Sequence, residues 1–354
     1  MKTILKQLFF LCVFVFFITA QCSANNSSDL EQAEKAYKQK DFQTAYKIFL
    51  KLANEGEAYS QYKMGCFYSW GRGVKKDPIE AVKWYQKSAN QGLDKAQFNL
   101  GIKYSSGVGI TQSYSNAVKW YERAAIQGHA DAQYNLALKY ESGKGTTKNI
   151  KKAVQWYKAS AEQGIPEAQY NIGYSYEYGQ GVDKNFAEAF KWYRKAAEQG
   201  LLVAEFAVGA EYYLGNRIKQ DYSLARKWFL KAGEQNHVKA LNTLGVMFAK
   251  GMGVKKDNKE AVKWYKKAAE QGYAESQFNL AIKYQKGSGI KKDINQATKW
   301  YTKAADQGHE EAQFNLGLIY YRAKNDKEAE KWLLKSANQG VTRAKYFLGL
   351  VRSQ

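Results

Sequence analysis

Apolar side chains in this chain return at helical spacing, three and four residues apart, and the whole pattern then recurs every 36 residues. One half of the unit, typified by Ala96-Gln97-Phe98-Asn99-Leu100-Gly101-Ile102-Lys103-Tyr104, comes back as Ala132 to Tyr140, Ala168 to Tyr176, Ser276 to Tyr284 and Ala312 to Tyr320. Its Ala, Leu, Gly or Ala, and Tyr fall on one face of a helix, here called helix A. The other half, typified by Ala261 to Gly272, sets Ala and Trp at i and i+3 with a further Ala at i+7, the stripe of a helix B packed between neighbours. Trp84, Trp120, Trp156, Trp192, Trp228, Trp264 and Trp300 keep the 36-residue interval, and Trp332 follows after 32. A period of this size means one supersecondary unit copied and stacked, and the tryptophans read as its structural wedges.

Local signals bound each helix. Asp77, Ser113, Asn149, Asn185, Asp221, Asp257, Asp293 and Asn325 each stand four residues before the helix B alanine, where a side-chain oxygen can accept from first-turn amides. Gly92, Gly128, Gly164, Gly200, Gly272, Gly308 and Gly340 close helix B, and Asn236 does so once; both residue types accept the left-handed C′ conformation. Gly71-Arg72-Gly73 and its counterparts between A and B read as turns, since a phosphate cradle would need a preceding strand.

The pattern divides the chain into segments. Lys2 and Lys6, an apolar run from Leu8 to Ala20 and Cys22-Ser23-Ala24 predict a signal peptide over 1–24 and hence export to the periplasm or beyond. The run is shorter than the ~20 residues of a membrane span. Lipidation of Cys22 is disfavoured because Gln21 stands where a small residue is expected. Residues 29–55 predict an N-terminal capping helix pair, 58–309 seven tandem units, 310–341 a shorter last unit, and 342–354 a C-terminal capping helix. With Cys12 and Cys22 removed, Cys66 is left as the one mature thiol, at a position that is apolar in other units.

The A-Q-x-N-L-G segment (Ala96 to Gly101, Ala312 to Gly317), the G-x-G-V/I-x-K-D loop (Gly71 to Asp77, Gly251 to Asp257, Gly287 to Asp293) and A-x-x-W-Y-x-K-A-A-x-Q-G (Ala261 to Gly272) resemble the Sel-one-like repeat family, a subclass of tetratricopeptide-type solenoids. The resemblance spans nearly all of the mature chain. It implies an all-α, right-handed α/α superhelical solenoid of about nine helix pairs plus a capping helix, used for protein interaction by exported bacterial proteins. The fifth unit departs from the pattern, with Arg217 for the second loop glycine and Asn236 for the closing one, so an altered twist is expected there. Some disulfide-rich relatives are described as penicillin-binding or β-lactam-hydrolysing, but that resemblance rests on a cysteine pair per unit, which this chain lacks.

Candidate chemistry narrows the function. Position 2 of helix A reads Tyr62, Phe98, Tyr134, Tyr170, Phe206, Asn242, Phe278, Phe314 and Tyr346. These rings either pack between successive A helices or line a concave partner-binding groove. Asn99, Asn135, Asn171, Asn279 and Asn315 flank them, to bind a peptide backbone or to satisfy neighbouring carbonyls. The net charge is +21, or +19 without the leader lysines, so an anionic lipid or envelope polymer is the alternative partner. Nucleic acid is excluded by export and by the lack of a reader motif. His129, His237 and His309 share one phase of the repeat and cannot converge on a metal, so neither a catalytic site, a metal nor a cofactor is predicted. Nothing in the pattern specifies an oligomeric state.

Overall fold

The computed structural model describes residues 27–353, and the signal-peptide reading therefore lies outside the described residues. All regular structure among them is helical. They fall into two compact units, one ending at Asn185 and the other beginning at Phe186. In the first unit α1 (27–38) and α2 (Phe42–Asn54) precede α3 (Ala58–Trp70), α4 (Pro78–Asn90), α5 (Asp94–Ser106), α6 (Tyr114–Ile126), α7 (Ala130–Ser142), α8 (Ile150–Glu162) and α9 (Pro166–Tyr178). The second unit holds α10 (Phe186–Glu198), α11 (Leu202–Leu214), α12 (Tyr222–Glu234), α13 (Val238–Lys250), α14 (Asn258–Glu270) and α15 (Ala274–Lys286). It continues through α16 (Ile294–Asp306), α17 (Glu310–Arg322), α18 (Asp326–Asn338) and α19 (Thr342–Arg352). From α3 onward odd-numbered helices are A and even-numbered ones B. Within each unit a helix packs chiefly on its neighbours in sequence, the stacking of a solenoid.

Side-chain caps begin the B helices as their sequence dictates. Asp77 accepts from the amides of Ile79 and Glu80, Asn149 from Lys152, Asp221 from Leu224 and Asn325 from Glu328. Asn236 adopts φ 64°, so the turn after α12 keeps the left-handed form its glycine counterparts take, and His237 N–H reaches the Ala232 carbonyl at 2.9 Å. The departure from glycine leaves that turn unchanged.

Two glycines set how closely the helices stack. Gly101 lies inside α5 with the Tyr121 ring where a Cβ would come within 2.6 Å, so the absence of a side chain seats that buried tyrosine. Gly109, at φ +82°, would place a Cβ 2.1 Å from the Pro78 carbonyl oxygen. The second loop glycine is thus more than a turn former: its bare backbone presses on the start of the preceding helix B. Where Arg217 replaces it, the guanidinium lies over the Phe186 ring, 3.9 Å from its centroid, and pairs with Glu211.

The two glutamines of the unit form a relay that the hydrophobic pattern does not announce. Gln97 Nε2 donates to the Ala89 carbonyl (3.2 Å) and Gln127 Nε2 to both Gln97 Oε1 (2.8 Å) and the Gly92 carbonyl (2.9 Å). The arrangement recurs around Gln61 and Gln91, Gln133 and Gln163, and Gln277 and Gln307. Each relay holds the end of one helix B to the next helix pair, with the first glutamine's hydrogen bond buried and the second's bond to the glycine carbonyl exposed to solvent.

Candidate partner-binding face

In the first unit Tyr62, Phe98, Tyr134 and Tyr170 are all half-buried on α3, α5, α7 and α9. Each of the first three leans on the aromatic residue that follows a tryptophan: Tyr62 on Tyr85, Phe98 on Tyr121 and Tyr134 on Tyr157, with centroids 5.9–6.1 Å apart. In the second unit Phe206 meets Phe229 at 5.7 Å and Phe278 meets Tyr301 at 5.9 Å. Phe314 is buried at 4% exposure, whereas Tyr346 on the last helix is 66% exposed. The rings are therefore neither a closed core nor a free ladder: one edge is packed and the other faces the helix A surface. Burial pushes the Tyr62, Tyr134 and Tyr170 hydroxyls above their ordinary range, and that of Tyr121 up to about 12, so all stay protonated donors at neutral pH.

The asparagines divide by partner. Asn171 stands beside the Tyr134 and Tyr157 hydroxyls. Asn279 Nδ2 donates to Asn242 Oδ1 (3.2 Å), and Asn315 Nδ2 to the Glu311 carbonyl of its own helix (2.8 Å). Asn99 and Asn135 are half-buried, and among the described residues no hydrogen bond engages their side chains. Beside them Ile102 is 38% exposed on α5 and Tyr174 39% on α9, while Leu138 on α7 is half-buried. Together they give the first unit's helix A face apolar area with free amides at its centre, the composition of a peptide-holding surface.

The three histidines are capping groups. Nδ1 of His129, His237 and His309 accepts from the amides of Ala132, Ala240 and Ala312 at 3.2–3.4 Å. Each imidazole stacks on the phenylalanine one unit earlier, Phe98, Phe206 or Phe278, at 4.3–4.5 Å. Burial and Lys239 lower the His237 pKa, keeping this acceptor neutral. Cys66 is buried, accepts a hydrogen bond from the Tyr85 hydroxyl, and has its thiol pKa raised by burial. Among the described residues no cluster of three or more His, Cys, Asp or Glu could hold a metal ion.

The tryptophans of the B helices pack into the cores between helix pairs. Trp84, Trp192, Trp228, Trp300 and Trp332 are buried; Trp120, Trp156 and Trp264 are half-buried. Basic residues three positions on cover the indoles: Lys87 on Trp84 (4.0 Å), Arg123 on Trp120 (4.5 Å), Lys195 on Trp192 (4.1 Å) and Lys231 on Trp228 (4.5 Å). Lys267 on Trp264, Lys303 on Trp300 and Lys335 on Trp332 complete the series at 4.5–4.6 Å. One basic residue in each of these seven B helices is thus engaged in cation–π packing. At the head of the chain Lys63, only 8% exposed, replaces the helix A asparagine. Its ammonium pairs with Glu34 at 2.7 Å and sits over the Tyr37 ring at 4.2 Å, with Tyr59 and Phe49 at 5.2 and 5.4 Å.

Stacked helix pairs with a periodic aromatic face define an α-solenoid of the protein-interaction class. The Sel1 repeat profile matches eight consecutive segments, 58–93, 94–129, 130–165, 166–201, 202–237, 238–273, 274–309 and 310–341, and the chain belongs to the Sel1 repeat family. Among solved structures it is similar to c5321, described as a protective antigen present in uropathogenic Escherichia coli strains and displaying an SLR fold. The two share 36% identity and a TM-score of 0.87 over 92% of this chain and 71% of that one. A Sel1 repeat protein from Oxalobacter formigenes is 35% identical, with a TM-score of 0.61 over 68% of this chain and 99% of that one. Comparison with curated protein sequences finds no match.

Proposed function

We propose that the chain is an exported, non-enzymatic scaffold that holds a protein or peptide partner along the helix A face. The carrying observation is the first unit's row of half-buried rings beside the Asn99 and Asn135 side chains, which no described residue engages. Extended peptides need backbone-directed amides and apolar side-chain seats, and this face offers both. The non-enzymatic reading is supported by the structural duties of the histidines and Cys66. Export rests on the leader-like residues 1–24.

A photo-crosslinking side chain placed at Ile102 or Tyr174 in the native cell should capture one defined partner. The same group at Ile126, 72% exposed at the end of α6, should not. Equal capture at all three positions would sink the assignment of the face. Tyr134→Ala with Tyr170→Ala should weaken retention of the captured partner without loss of the far-UV helical signal.

A second reading, docking to an anionic lipid or envelope polymer, has its own support. Lysines gather at the loop edge, where Lys103 lies near Lys76, Lys139 near Lys144, and Lys283 near Lys256 and Lys286. Burial first and these like charges second lower the pKa of Lys103, Lys139 and Lys283, so an incoming anion would relieve an existing repulsion.

A further inference from the structure

In seven units the chain lays its own Lys or Arg over the helix B tryptophan, but the eighth has Ala159 in that place. Among the described residues no cation lies over the Trp156 ring. A cleft of about 320 Å³ opens there between α6 and α8, lined by Glu122, Tyr140, Lys152, Gln155, Trp156 and Ala159. We propose that this cleft binds the ammonium group of a lysine side chain presented by a partner protein.

Comparison within the molecule carries the inference. Two units further on, the corresponding groove of about 310 Å³ has Arg194 for Glu122, Tyr212 for Tyr140, Trp228 for Trp156 and Lys231 for Ala159. That groove is just as roomy but carries its own cation on the ring, the Lys231 ammonium lying 4.5 Å from the indole centroid, beside an Arg194–Glu198 ion pair. At Trp156 two changes act together. Removing the long side chain uncovers the ring face, and the place of the Arg194 guanidinium, paired there with Glu198, is taken by the Glu122 carboxylate. Glu122 is half-buried and forms no ion pair with any described residue, so its charge lacks a counterpart in a partly desolvated place. Lys152 does not supply one: its ammonium is directed to the buried Tyr140 ring, 5.2 Å from the centroid.

The chain also shows which group such a set of walls accepts. The Lys63 ammonium rests among Tyr37, Tyr59 and Phe49 with the Glu34 carboxylate against it, and an open aromatic face plus one carboxylate recur at Trp156 and Glu122, the Tyr140 ring beside them being covered by Lys152. Ring quadrupole and carboxylate attract the same ligand, most strongly where water is partly excluded. The cleft shares no residue with the candidate helix A face, and its occupancy does not depend on the helix A reading.

The test is a titration of the mature chain with Nα-acetyl-lysine methylamide, followed through the indole N–H signals in two-dimensional NMR, the Trp156 signal being identified by its loss in Trp156→Phe. The expected result is a saturable shift of Trp156 alone, with affinity in the millimolar range. Glu122→Gln should weaken it roughly threefold to tenfold. Ala159→Lys should abolish it, because the chain then covers its own indole as six other units do with lysine. Those units also show that the fold accepts lysine there, which an unchanged helical circular dichroism signal would verify. Absence of a Trp156 shift, an undiminished shift in Ala159→Lys, or a response to neutral methyl glucoside without one to the lysine probe would each overturn the proposal.

Discussion

Glu205 occupies the place that Gln61, Gln97, Gln133, Gln169, Gln277 and Gln313 hold in other units. It is 3% exposed and still accepts from Gln235 Nε2 at 2.9 Å, but an ionised carboxylate has no hydrogen for the carbonyl that the glutamines reach. Burial accordingly raises its pKa above the ordinary carboxylate value. The folded state then holds the proton more tightly than the unfolded one. Its favourable contribution is complete below the unfolded pKa of about 4.5 and is lost as pH rises through the folded value. Glu205→Gln should therefore raise the thermal midpoint at pH 7, by an amount worth about 1 kcal/mol, and the gain should shrink as pH falls below about 4.5. Thermal melts of both proteins at pH 4 and pH 7 check this. A gain independent of pH would point to packing instead of the buried charge. The sequence shows the substitution but not its cost, because the partners of residue 205 lie about 30 residues away.

Helices and their ends were legible because the responsible signals are local. The N-cap at Asp77 and the closing turn at Asn236 depend on residues within one turn of the helix. The glutamine relay, the histidine lids and the cations over tryptophan were not legible as contacts, since their members are brought together by stacking or by side-chain direction. The candidate face shows the same division. Period alone placed the rings on helix A, but the packing of Phe98 against Tyr121 and His129 follows from neighbouring helices. At this scale the second loop glycine is the most constrained position. Gly109→Ala adds a Cβ against the Pro78 carbonyl and strains a positive φ, so it should cost about 2–3 kcal/mol in a urea unfolding experiment. Gly101→Ala should cost less, since Ala137 and Ala281 occupy the equivalent place. Equal losses would show that repeat contact at Gly109 is not limiting.

For the molecule as a whole, a net charge of +21 acts beyond any single contact. If the loop-edge lysines dock on an anionic surface, binding to vesicles containing phosphatidylglycerol should fall steeply between 0.1 and 1 M salt, where the screening length shrinks from about 10 Å to about 3 Å. Retention of the crosslinked partner on the helix A face should change little over that range. Periodicity raises a separate matter for any long ligand. Along a surface that repeats every 36 residues, a bound chain can slip by one unit and meet nearly the same contacts. Ala159 breaks that equivalence: a place that differs from its seven counterparts serves as a fixed mark against which a partner's alignment can be set, so the smallest residue in the series gives the array an origin.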